Sequence, residues 1–143
     1  MVIPSLMGVD HVAWNVPDMQ QALAFFTTAL GCRVLHREAP HPFSVEPGTS
    51  VETALLQFDD HLRFELLTFR APGLATESPD MLAGAGYHLA LTVSDLDAAL
   101  ACLRAIPGVD AREASLLDGT RRRAFFTTPW GMPMQLIEPG ERG

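Results

Sequence analysis

The chain repeats itself, and the repeat limits what it can fold into. Displaced by 77 positions, His11 falls on His88, Ala13 on Ala90, Val16 on Val93 and Asp18 on Asp95. Ala22, Leu23 and Ala24 then fall on Ala99, Leu100 and Ala101, and Gly31 on Gly108. These are eight identities in 21 ungapped positions, where composition alone gives about two, so the halves read as a duplication. Each copy is an apolar strand with one histidine, then a helix opened by Asp and closed by glycine. A duplicated unit of this kind reads as two halves of one site.

Residues 8–16 alternate as a strand does. Pro17-Asp18 starts a helix, with Asp18 placed to accept the free amides of its first turn. Ala22, Leu23, Phe26, Ala29 and Leu30 recur at helical spacing, and Gly31 ends the run. Cys32 to Glu38 reads as a second strand. Ala39 to Ser50, with three prolines and a glycine, reads as a loop of functional length. Strands follow at 51–58 and 62–69, joined by the turn Asp59-Asp60-His61. In the second copy the order recurs: a strand at 86–93, a helix at 95–106 opened by Ser94 or Asp95, and strands near 109–115, 121–128 and 132–138. Toward the end the offset falls to 70, so Phe64 meets Met134, Glu65 meets Gln135 and Leu66 meets Leu136. The expectation is an α+β protein of two β-α-β-β-β modules in a single domain, 1–143. Module one is 8–70, the linker 71–85 and module two 86–139.

Composition excludes several functions. The formal charge is −7 and all ten basic residues are arginine, which leaves no basic face for nucleic acid. The start of the chain carries no basic segment and no apolar run long enough for a signal peptide or membrane span. Cys32 and Cys102 form no C-x-x-C pair, so both read as reduced thiols of a cytoplasmic protein.

Chemistry concentrates at four duplicated positions. His11 and His88 stand on the first strand of each module, Glu65 and Gln135 on the last. A Glu between Phe and Leu in a strand is ordinarily an outward, solvated residue. Fourfold placement at duplicate-related positions favours the alternative, since imidazole, carboxylate and amide oxygen suit a divalent transition metal. Glu138 falls on the opposite strand face from Gln135 by alternation. Arg121-Arg122-Arg123 is the one basic run; alternation puts Arg121, Arg123, Phe125 and Thr127 on one side. Trp14 and Trp130 read as packing or rim residues. His36, His41 and His61 read as surface residues, with His41 and Phe43 also able to close over a pocket.

These residues resemble the vicinal oxygen chelate superfamily, which includes glyoxalase I, methylmalonyl-CoA epimerase, extradiol dioxygenases and the bleomycin and fosfomycin resistance proteins. The resemblance runs from Asp10-His11-Val12-Ala13 to Leu136-Ile137-Glu138-Pro139. It is carried also by Phe25-Phe26 with Leu30-Gly31, Glu65-Leu66-Leu67, Tyr87-His88-Leu89-Ala90 and Thr128-Pro129-Trp130-Gly131. It implies a curved eight-stranded sheet with the helices on its outer face, and a homodimer. It also implies a divalent metal (Ni, Co, Zn, Mn or Fe) held by His11, Glu65, His88 and Gln135. The glyoxalase-like pattern has Glu at that last position, so Gln135 is a departure that removes one anionic ligand and one possible base. Glu65 is then the expected catalytic base, and Arg123 with Phe125 the expected contacts for an anionic or acyl substrate.

Three functions fit. The first is a metal-dependent lyase or isomerase of glyoxalase/epimerase type, acting on a small molecule by proton transfer beside a polarised carbonyl. The second is a metal-free drug-binding protein of bleomycin-resistance type. The third, an extradiol-type dioxygenase, would want a carboxylate at position 135. A fold of this kind does not choose among them.

Overall fold

Both helices begin at the duplicated aspartates. In this computed structural model, which describes residues 3–74 and 86–140, α1 spans Met19–Thr28 and α2 spans Leu96–Arg104. The Asp18 carboxylate accepts from the Gln21 backbone N–H at 2.8 Å, and Asp95 from that of Ala98 at 2.9 Å. Each satisfies an amide that a first helical turn leaves unpaired. Of Ser94 and Asp95, the aspartate is therefore the cap. Gly31 and Gly108 close the two segments from the left-handed region, at φ 70° and 84°, which side chains disfavour. At Gly108 an added Cβ would also meet Cβ of Pro129 at 3.2 Å.

The chain forms two compact units, Met1–Thr76 and Glu77–Gly143. Residues 75–85 of the expected linker lie outside the described residues. In the first unit β1 (Val12–Asn15), β2 (Arg33–Pro42), β3 (Ser50–Gln57) and β4 (Arg63–Arg70) form one sheet, ordered β1-β4-β3-β2. β1 runs parallel to β4, and the other pairs are antiparallel. The second unit repeats the plan with β5 (Leu89–Thr92), β6 (Asp110–Ala111), β7 (Ser115–Leu116), β8 (Arg122–Thr127) and β9 (Pro133–Glu138). Its order is β5-β9-β8-β6, with β7 also on β8 and β5 parallel to β9. The result is a mixed α+β architecture.

Two details depart from expectation. Nine strands are described, four in the sheet of the first unit and five in that of the second, where eight were expected. The extra strand arises because the segment expected at 109–115 breaks into β6 and β7. Its Ala-Arg-Glu-Ala run is poor strand sequence, and after the Arg112 N–H bonds the Phe125 carbonyl at 2.9 Å the pairing lapses until Ser115. Conversely, β2 continues through Pro40 to Pro42, where a loop was expected. β2 is the edge of its sheet, so a proline there gives up no ladder bond. Register shifts between Val34 and His36 and between Glu38 and His41 absorb the irregularity.

Each helix lies on one face of its own sheet. In the first unit Phe26 and Phe64 are both 0% exposed, with ring centroids 5.9 Å apart. Trp14 joins them, 4.8 Å from Phe64 and 6.3 Å from Phe26. In the second, Leu96, Leu100 and Leu103 of α2 are buried, as are Ala124, Phe126, Met134 and Leu136 of β8 and β9. Strand alternation then fixes the opposite face of each sheet. That face carries Glu65 in one unit and Gln135 in the other. No described helix is long and apolar enough to cross a membrane.

Burial separates the two cysteines. Cys32 is buried and Cys102 exposed, and desolvation pushes the Cys32 thiol up to about 11. At pH 8 roughly one Cys32 in a thousand is then the reactive thiolate. A thiol reagent in native buffer is expected to modify Cys102 promptly and Cys32 only in denaturant. Prompt reaction of both would contradict the burial of Cys32.

Candidate functional site

In the first unit the candidate residues are placed by β1 and β4. Their parallel register pairs Ala13 with Glu65 and Val12 with Phe64. His11, one residue ahead of β1, therefore reaches the same face as Glu65. His11 Nε2 stands 3.6 Å from Glu65 Oε2. That gap is long for a good hydrogen bond. It suits two donors sharing a cation: at about 2.1 Å each and the tetrahedral angle they would sit about 3.4 Å apart. On its other side His11 Nδ1 lies 2.6 Å from Asp10 Oδ1. This hydrogen bond, with the attraction of the imidazole charge, holds the Asp10 carboxyl below its ordinary range.

The second unit repeats the register. Ala90 pairs with Gln135 across β5 and β9, and Phe125 of β8 pairs with Gln135 from the other side. The His88 ring meets the Phe125 ring edge to face at 5.7 Å, so His88, Phe125 and Gln135 share one face. Gln135 is 5% exposed, and its amide makes no side-chain hydrogen bond among the described residues. Arg123 lies on the same face, its guanidinium carbon 5.5 Å from the Phe125 centroid. The buried Nε of Arg123 has no hydrogen-bond partner among the described residues.

The three arginines of the basic run have different surroundings. Arg121 precedes β8 and is held in a turn by Asp118 at 2.7 Å, keeping that carboxyl well below its usual range. Arg121 thus lies in the turn ahead of the strand, which begins at Arg122 rather than at 121. Arg122 points to the helix side, 2.8 Å from Asp97 and 3.6 Å from Glu138. Glu138, on that side as alternation requires, accepts the Leu96 backbone N–H at 2.7 Å. Arg123 alone of the three forms no ion pair among the described residues.

Two contacts were missed from sequence. One is Asp10 on His11, whose only signal was the dipeptide itself. The other is a cluster on β2, where Glu38 meets His36 Nε2 at 3.3 Å and His41 Nε2 at 3.4 Å. The register shift after Glu38 turns His41 onto the face of His36. His61 stays in its turn, its backbone N–H bonded to Asp59. Trp14 and Trp130 are both buried. Within each unit, among the described residues, no three His, Cys, Asp or Glu side chains form a metal cluster; each unit offers a pair. As donor sets the pairs, histidine with carboxylate and histidine with amide, fit a divalent transition metal.

Residues 10–113 match the family model described as Glyoxalase/Bleomycin resistance protein/Dioxygenase superfamily. A 2-epi-5-epi-valiolone epimerase from an Actinomyces species is 34% identical over 148 residues, covering 94% of this chain and 81% of its own. The chain belongs to that superfamily. The fold agrees with other solved structures. A glyoxalase family protein from Bacillus cereus matches 96% of this chain and 97% of its own, with TM-score 0.79 and 23% identity. A fosfomycin resistance protein from Listeria monocytogenes, solved with Mn(II) and sulfate, matches 94% and 93% with TM-score 0.60 at 12% identity. At such identities these two speak for the superfamily fold alone.

Proposed function

We propose that the chain is a metal-dependent epimerase or lyase of glyoxalase/epimerase type, moving a proton on the carbon beside a carbonyl of a small substrate. The observation that carries this is the His11–Glu65 pair on the helix-free face of the first sheet, 3.6 Å apart. The Actinomyces relative supports the epimerase side and suggests the substrate: 2-epi-5-epi-valiolone, by its name a ketone, or a close analogue. His11, Glu65, His88 and Gln135 would hold the ion. The proposal includes that the two sheets join as halves of one curved cradle, in one chain or across a homodimer. When bound, the metal would polarise the substrate oxygen and lower the cost of removing the neighbouring proton.

Glu65 is the base in this reading. It is a carboxylate only partly covered, with a side-chain exposure of 28%, so it takes a proton and exchanges it with water. Gln135 cannot take one; it offers an oxygen and an N–H to whatever binds between its neighbours. Arg123 and Phe125 are the substrate contacts. The guanidinium lies over the Phe125 ring, and its buried Nε–H has no partner among the described residues, a donor that costs stability until something accepts from it. The test is proton NMR of 2-epi-5-epi-valiolone with the enzyme in D2O. Deuterium should enter beside the ketone as the epimer appears. Without deuterium or epimer, the assignment fails. Gln135 favours a second reading, metal-free binding of a small molecule, since an amide there is a weaker ligand than a carboxylate.

A further inference from the structure

We infer that Asp10 is a positioning residue for His11, and that the duplicated halves differ because only the first has one. An ionised carboxylate can only accept, so the 2.6 Å contact between Asp10 Oδ1 and His11 Nδ1 requires the proton on Nδ1. The neutral ring then presents the lone pair of Nε2, and this is the nitrogen that faces Glu65 Oε2. Two electron-pair donors opposed across 3.6 Å are held for a cation, and the carboxylate behind the ring makes Nε2 a stronger donor. The orientation itself needs no metal; its purpose rests on the metal-site reading above.

The second half lacks the device. At the displacement of 77, Tyr87 stands where Asp10 stands, and His88 has no hydrogen-bonded carboxylate among the described residues. Its ring is set by Phe125 instead, through an apolar edge contact. Beside it stand an amide and an arginine, where the first half has two carboxylates. His11 is therefore the imidazole oriented by a carboxylate, and His88 the one oriented by an apolar contact.

The full metal-free chain, labelled with ¹⁵N and held above the ordinary imidazole range near pH 6.5, tests this by long-range proton–nitrogen correlation. His11 should appear as the Nδ1–H tautomer in wild type. In Asp10→Ala it should move to the Nε2–H form, whereas Asp10→Asn, whose amide oxygen still accepts, should keep it. Ni(II) affinity, read by competition with a coloured chelator, should fall about ten- to a hundredfold in Asp10→Ala and recover in part in Asp10→Asn. A His11 already in the Nε2–H form in wild type, or unmoved by Asp10→Ala, overturns the inference. Wild type that shows the expected tautomer yet takes up no Ni(II) upholds the orientation and overturns the metal reading.

Discussion

Glu65→Gln is expected to slow deuterium incorporation and epimerisation by about 10²–10⁴-fold, the range lost when a positioned acid–base group is removed. The substitution keeps shape and an oxygen donor, so it separates the loss of a base from the loss of a side chain. The molecule itself supplies the precedent for folding: Gln135 occupies the same register position in the second sheet, opposite Ala90 as Glu65 is opposite Ala13. Thermal unfolding of Glu65→Gln should therefore stay close to wild type while turnover collapses. Activity within a few-fold of wild type would remove Glu65 from the chemistry and return the site to a binding role.

Phe64→Ala is expected to cost about 3–5 kcal/mol, the usual penalty for emptying a buried phenylalanine site. Phe64 is fully buried, and its ring contacts Trp14 at 4.8 Å, Phe58 at 5.6 Å and Phe26 at 5.9 Å. Those neighbours come from β1, α1 and the residue after β3, so the cavity would sit where the elements of the first unit meet and could not close by moving one of them. Because Phe64 and Glu65 are adjacent on β4 and point to opposite faces, loosening one also loosens the other. Urea unfolding followed by tryptophan fluorescence reads the loss. A change below 1 kcal/mol would mean that the aromatic cluster is not the core of this unit.

The duplication made much of this legible. Identical residues at a fixed displacement located both helices, their aspartate caps and their closing glycines, because each has a strong local cause: an orphan amide to satisfy, or a left-handed turn to make. The Glu65 and Gln135 positions followed from carrying the same comparison through to the last strands. What failed depended on neighbours that sequence does not name. Pro40 and Pro42 look like loop residues, and only the sheet order, with β2 at the edge, admits them to a strand. The strand expected at 121–128 begins at Arg122, because Asp118, a turn carboxylate, holds Arg121 ahead of it. Asp10 was hidden for a different reason. A side chain that touches its own successor leaves no periodicity to detect, and only the contrast of Asp10-His11 with Tyr87-His88 marks it.

Metal content tests the central claim most directly, that the duplicated positions hold a divalent ion for proton transfer. Wild-type chain purified without chelators should carry about one equivalent of transition metal, and Glu65→Ala and His88→Ala should each carry far less while remaining folded. Wild type with no more metal than either variant would contradict the claim and leave a metal-free binding protein in its place.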